Sequence, residues 1–155
     1  MRTIVTILLL SIWGLCALEM VARDEKDYIS GEFYLVKEIV RNNEYYEIYV
    51  EDENGKNYKI VSYCPENEDA PSNPAPKIKI GERSYLALRD MHQELYGEEI
   101  MPSCLLGAIT LNGTTIRLDH KKGIYSLSVC WNLKGLHYNL INPADTFNAW
   151  EWLHL

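Results

Sequence analysis

The stretch EDENGKN, residues 51–57, sharply limits what the chain around it can build. It joins two alternating runs, Tyr45–Glu51 and Tyr58–Tyr63. A two-residue loop at Asn54-Gly55 would set Val50 opposite Lys59 and mix the faces. A three-residue loop, Glu53-Asn54-Gly55, with Gly55 left-handed, sets Val50 opposite Tyr58, Ile48 opposite Ile60 and Tyr46 opposite Ser62. That register restores one apolar face, and a slip of one residue would turn every side chain over. The segment therefore reads as an antiparallel hairpin with Tyr49 directly across from Lys59.

Further short runs extend the pattern. Phe33–Val40 precedes the hairpin and makes it a three-stranded meander. Ile78–Ile80, Tyr85–Leu88, Ala108–Leu111, Thr114–Leu118, Ile124–Trp131 and Leu136–Ile141 follow it. Asn112-Gly113 suits a two-residue loop that sets Leu111 opposite Thr114 and Ile109 opposite Ile116. Short strands with turn residues at this spacing predict a mainly β fold, a small antiparallel barrel or sandwich. After Leu88, the spacing of Met91 and Leu95 predicts a short helix ending at Gly97. CPENEDAPSNPAP, residues 64–76, reads as an exposed, extended loop. At the C-terminus Asn142 can cap and Pro143 suits a first turn, so Phe147, Trp150 and Leu153 form an aromatic helix or turn against the β core. A meander of three, an interruption and then more strands resembles the five-stranded OB barrel over residues 31–141. The resemblance is one of architecture. It implies a ligand face on exposed strands, for oligonucleotides, oligosaccharides or proteins.

The chain opens with Arg2 and an uncharged run of 15 residues, Ile4–Leu18. A helix needs about 20 apolar residues to span a bilayer, so the run suits a secretory leader better than an anchor. Residues 1–22 are expected to be a signal peptide cut near Ala17 or Ala22, and 23–155 a single β-rich domain that is secreted or periplasmic. Lipid attachment through Cys16 fits worse: Leu15 is bulky for the position before the cut, and Trp13 stands where a leucine is expected. No membrane partner is expected once the leader is gone.

The net charge of −7 is uneven: residues 23–70 carry 6 Lys or Arg against 13 Asp or Glu, and residues 71–155 carry 8 of each. Nucleic-acid binding draws on Lys and Arg facing phosphates, so this acidic balance argues against it. With Cys16 removed, Cys64, Cys104 and Cys130 remain, and an oxidising compartment favours one disulfide among them. His92, His120, His137 and His154 show neither HExxH nor a ligand-spaced pair, so no metal or other cofactor is expected. DENG at 52–55 begins like a calcium loop, but Tyr63 stands where the closing Glu belongs. No local signature marks a nucleophile, and no residue is assigned a catalytic role.

Tyrosine is the unusual feature: 7 of the 11 lie between Tyr28 and Tyr63. In the proposed register Phe33, Leu35, Ile39, Tyr46, Ile48, Val50, Tyr58 and Ile60 point to the core. The opposite face shows Tyr34, Val36, Val40, Tyr45, Glu47, Tyr49, Glu51, Lys59 and Val61. Tyrosine presents a flat ring at low entropy cost and a hydroxyl. Tyr34, Tyr45, Glu47, Tyr49, Glu51 and Lys59 are thus the expected binding face of an exported interaction module for a protein, peptide or carbohydrate. The alternative is a small exported hydrolase, or an inhibitor of one, which would need a deep pocket with a His near a Cys or carboxylate.

Overall fold

The computed structural model describes residues 31–64, 75–97, 101–138 and 153. The expected leader through Ala22, Cys16, most of the proline-rich loop and the C-terminal segment from Asn142, Leu153 excepted, lie outside the described residues.

Three antiparallel strands form the meander: β1 (Glu32–Asn42), β2 (Tyr45–Glu51) and β3 (Asn57–Tyr63). The β2–β3 register is the expected one, with Val50 opposite Tyr58, Ile48 opposite Ile60 and Tyr49 opposite Lys59. Gly55 is left-handed at φ 78°. The Asp52 carboxylate closes the loop by accepting the N–H groups of Asn54 and Lys56, both at 2.8 Å. An Asx turn of this kind supplies the acceptor that the tight backbone lacks.

β1 departs from expectation. Val36 pairs with Val50, but Glu38 pairs with Tyr49, so a bulge interrupts the ladder at Lys37. One extra residue turns the side chains before it over. Ile39 points inward as expected, yet Tyr34 and Val36 also point inward, while Phe33 is 53% exposed. The assignment of Phe33 to the core and of Tyr34 and Val36 to the outer face is thereby corrected.

β4 (Arg83–Leu86), β5 (Leu88–Asp90) and β8 (Ile124–Cys130) complete a six-stranded sheet in the order β4-β1-β2-β3-β8-β5. β3 and β8 run parallel, a departure from a purely antiparallel reading. The sheet's two outermost strands, β4 and β5, are separated by Ala87 alone. Ala87 accepts the N–H of Trp131 at 3.0 Å, and its own N–H goes to Asn132 Oδ1 at 3.0 Å. The sheet therefore curls until its ends are one bent segment, giving a barrel-like ring. Tyr34, Val36, Ile48, Val50, Ile60, Leu86 and Cys130 fill the inside. Ile78, Leu133 and Leu136 join that cluster, and Leu133 and Leu136 belong to a small hairpin of β9 (Leu133–Lys134) and β10 (His137–Tyr138). The strand expected at Ile78–Ile80 is reduced to a single bridge between Lys77 and His137. The one expected over Leu136–Ile141 starts at His137, because Gly135, left-handed at φ 57°, and Leu136 form the turn.

The segment between β5 and β8 lies against the outside of the ring. Asp90 caps helix α1 (Met91–Tyr96) by accepting the N–H groups of His92 and Gln93, and Gly97 ends it at φ 104°. A 3-10 turn, Ser103–Leu105, leads into a separate hairpin, β6 (Ala108–Leu111) and β7 (Thr114–Arg117). Its register is the expected one. Met91, Leu95, Leu111, Ile116, Leu118 and Leu153 pack on Tyr45, Tyr49, Val61, Leu127 and Val129. The sheet is thus buried on both faces over β2, β3 and β8. Among the described residues no helix is long and apolar enough to cross a membrane.

Candidate functional site: the tyrosine and glutamate face

Strand alternation puts Tyr45, Glu47 and Tyr49 of β2 beside Lys59 and Val61 of β3 on the outer face. The structure brings four of the six expected site residues together: Tyr45, Glu47, Tyr49 and Lys59. It also buries all four. Glu51 is half-buried beyond them, where it takes an ion pair from Lys37 at 2.7 Å. Tyr34 belongs to the inside of the ring, 6% exposed. The open contact surface expected here is therefore corrected to a covered one. The cover comes from β6, β7 and Leu153, elements that lie 45 residues or more beyond Tyr63 (108 − 63 = 45).

Lys59 is the centre, with its side chain 0% exposed. An ammonium has three protons to donate. Here one goes to Glu47 Oε2 at 2.8 Å, one to the Arg117 carbonyl at 2.6 Å and one to Asp119 Oδ2. Tyr49 OH donates to Asp119 Oδ2 at 2.8 Å, and Asn42 donates to Glu47 Oε1 at 2.6 Å. The Tyr49 ring lies 4.8 Å from Lys59 Nζ and 4.2 Å from Lys122 Nζ, and Lys122 is ion-paired with Glu38. Both ammonium groups meet the negative face of the ring. Asp119 holds a left-handed backbone, φ 55°, and its carboxylate meets Lys59 and Tyr49. Burial alone would drive the Asp119 carboxyl up, but the hydrogen bonds from Lys59 and Tyr49 outweigh it and hold the group below its ordinary value. Burial likewise opposes charge on Lys59, yet its bonds to Asp119 and Glu47 leave it raised. Burial is the main reason that Tyr45 and Tyr49 are raised. Tyr45 OH donates to the Leu153 carbonyl at 3.2 Å and accepts from Asn112 at 3.2 Å.

These groups are saturated with one another, so their arrangement fastens the 107–123 segment to the sheet. Asp119, Asn42 and Lys122 are the members that sequence reasoning missed. LDHKK reads as a charged turn, and the one available signal was Lys59 itself: a lysine alternating with apolar residues in a strand requires a carboxylate from elsewhere.

A pH dependence follows. The Asp119 carboxyl sits lower in the fold than in the open chain, where it titrates near 3.8. Its contribution is present above that value and is lost as pH falls through the folded one. The Lys59 contribution is present below the ordinary lysine value of 10.5 and is lost as pH rises through the higher folded value. Thermal melts should therefore show no change from this cluster between about pH 5 and 9 and a loss below about pH 4. Asp119→Asn should lower the melting temperature at neutral pH and flatten the acid-side fall. An acid limb of unchanged steepness would remove Asp119 from its cause.

A second polar knot lies at the β5–α1 corner. Asp90 accepts from the Ser103 N–H and hydroxyl and from Ser126 Oγ, while Ser103 Oγ also receives the Leu127 N–H. It holds the 3-10 turn on β8. His92 Nδ1 meets the Met101 carbonyl at 2.7 Å and His137 Nδ1 the Ala75 carbonyl at 3.0 Å. Among the described residues, no group of three His, Cys, Asp or Glu could hold a metal ion. No disulfide joins Cys64, Cys104 and Cys130. Cys130 is inside the ring, where burial pushes its thiol up to about 12 and its S–H faces Asn132 Oδ1 at 3.1 Å. The expected single disulfide is therefore not part of this structure.

Fold and site together define a small β protein, barrel-like, whose outer strand face is covered by its own chain. Compared with protein-family models, with curated proteins and with solved structures, the chain matches none.

Proposed function

We propose that the protein is an exported binding module that takes a protein partner through Phe33 and Tyr85, on the outside of β1 and β4. The observation that carries the reading is a preformed aromatic pair. Phe33 lies directly opposite Tyr85 in the sheet, with ring centroids 5.4 Å apart in an edge-to-face arrangement. Tyr85 is 44% exposed, so both rings present surface to solvent. The Gly31 N–H donates to Tyr85 OH at 2.9 Å. A side chain at Gly31 would place its Cβ 2.7 Å from the Tyr85 ring, so only glycine allows this close approach. Rings fixed in advance lose little entropy on binding. Ion pairs flank them, Lys37 with Glu51 at 2.7 Å and Arg83 with Glu53 at 3.6 Å. An aromatic centre with a rim of both charge signs is the usual anatomy of a protein contact.

The test compares Phe33→Ser with Tyr85→Ser combined, against Tyr125→Ser as an exposed control, in a pull-down from the native compartment and in thermal melts. The double variant should lose its partner, weakened by about 2 kcal/mol or more. It should stay folded, because neither ring is part of either buried cluster. Retention of every partner by a folded double variant would move the contact elsewhere.

A further inference from the structure

We propose, on the footing that Phe33 and Tyr85 form a protein contact, that the partner they take is a second copy of this chain, packed face to face about a two-fold axis that runs along β1. The segment that covers the sheet packs on β2, β3 and β8. The outer side of β1 and β4 is open to water: Phe33 is 53% exposed, Tyr85 44% and the Arg83 side chain 55%. Leu35, two residues after Phe33, shares that side by strand alternation. The inward neighbours Val50 and Ser84 are buried, so Glu51 and Arg83, next to them in sequence, also turn outward.

The registers select the occupant. Leu35 stands opposite Arg83 of β4 on one side and opposite Glu51 of β2 on the other. A row therefore crosses three strands as cation, apolar residue and carboxylate, with neighbours about 4.8 Å apart. When two identical faces meet, the two-fold axis lies in the interface, and each residue meets the one mirrored across that axis. With the axis along β1, Phe33 meets Phe33 and Leu35 meets Leu35. Arg83 meets Glu51 of the second copy, and Glu51 meets its Arg83. The centre is apolar and both charged contacts are attractive, which is the self-complementarity that an isologous interface requires. Packed sheets lie about 10 Å apart, a gap that two facing phenylalanines fill and an arginine and a glutamate span. The pairs within one chain leave room for this exchange. Arg83 holds Glu53 loosely, at 3.6 Å with both side chains more than half exposed, and such a pair contributes little. Lys37 takes Oε2 of Glu51, and a carboxylate accepts from several donors at once. A patch of three strands is small for a permanent interface, so the association is a weak one.

The test is sedimentation of the chain from about 10 μM to about 1 mM, with thermal melts to show that each variant is folded. The native chain should dimerise, and less so as salt rises. Arg83→Glu should weaken dimerisation by about tenfold or more, because symmetry places the like-charge contact twice. Glu51→Arg should do the same. Mixed in equal amounts, the two variants should associate with each other, since each supplies the charge that the other lacks. If Glu51→Arg fails to fold with an arginine beside Lys37, salt gives the answer with Arg83→Glu alone: added NaCl should strengthen its association while weakening that of the native chain. A native chain that stays monomeric at about 1 mM overturns the proposal. So does a dimer that survives Phe33→Ser combined with Tyr85→Ser, or charge variants that show neither recovery on mixing nor the inverted salt response. If the chain is monomeric while a different protein is captured and then lost by the aromatic double variant, the second copy is overturned and the aromatic contact itself stands.

Discussion

Lys59→Met should lower the unfolding free energy by about 3–5 kcal/mol, the range for removing one partner of a buried ion pair. Methionine keeps the length of the stem, so the loss reports on the ammonium rather than on packing. What remains is worse than a gap. Glu47 and Asp119 would face each other under the hairpin without the cation between them, and the Arg117 carbonyl would lose its donor. Adding Glu47→Gln and Asp119→Asn to Lys59→Met removes the stranded charges and should recover at least half of the loss, since neutral replacement of a whole buried set is far better tolerated than breaking it. Urea titrations of the three proteins decide the matter. A cost under about 1 kcal/mol for Lys59→Met would mean that the ammonium reaches water, as an exposed pair does.

Tyr45→Ser should cost about 3–5 kcal/mol, the range for truncating a buried aromatic. The ring is fully buried between β3 and the covering segment, and it stacks edge-on against Tyr63 at 5.6 Å. Its hydroxyl ties Asn112 in the hairpin tip to the Leu153 carbonyl. Tyr45→Phe removes only those two hydrogen bonds and should cost about 1–2 kcal/mol. The pair of variants, measured by thermal and urea unfolding, separates the ring from its hydroxyl. A neutral Tyr45→Ser would restore the reading of this tyrosine as a surface contact and contradict its burial.

Local chemistry made much of this fold legible. Both hairpin registers follow from where Gly55 and Gly113 sit, and the short helix follows from Met91, Leu95 and Gly97. Three things were not legible, each for its own reason. The bulge at Lys37 changes which residues of β1 point inward, and nothing in FYLVKEIV marks an extra residue, because hydrophobic side chains stand on both sides of it. The parallel pairing of β3 with β8 joins residues 67 or 68 apart, such as Asn57 with Ile124 and Ile60 with Ser128, and no local pattern encodes a partner at that distance. The covered face misled for the same reason. Tyr45, Glu47, Tyr49 and Lys59 were correctly placed on one side of the sheet, but whether water or Ile116 and Leu118 lies over them is decided by a distant segment. In an OB-like barrel that side is where a ligand is sought. Here the chain's own hairpin occupies it, and the accessible aromatic pair, Phe33 and Tyr85, lies around the ring on β1 and β4.

The single residue between β4 and β5 has a consequence for how the molecule assembles. Because Ala87 links the two ends of the sheet, the ring cannot close until β8 has found β3 on one side and β5 on the other. β1, β2 and β3 can pair as soon as they are made, each with its neighbour in sequence. β8 comes some sixty residues later, and until it arrives both β3 and β5 present unpaired edges to anything nearby. Long-range closure of this kind is slow compared with hairpin formation, and open edges are where chains associate wrongly. The vulnerable period of this protein is therefore the interval between completion of the meander and arrival of Ile124–Cys130. A chain shortened before that strand would be left permanently in that state.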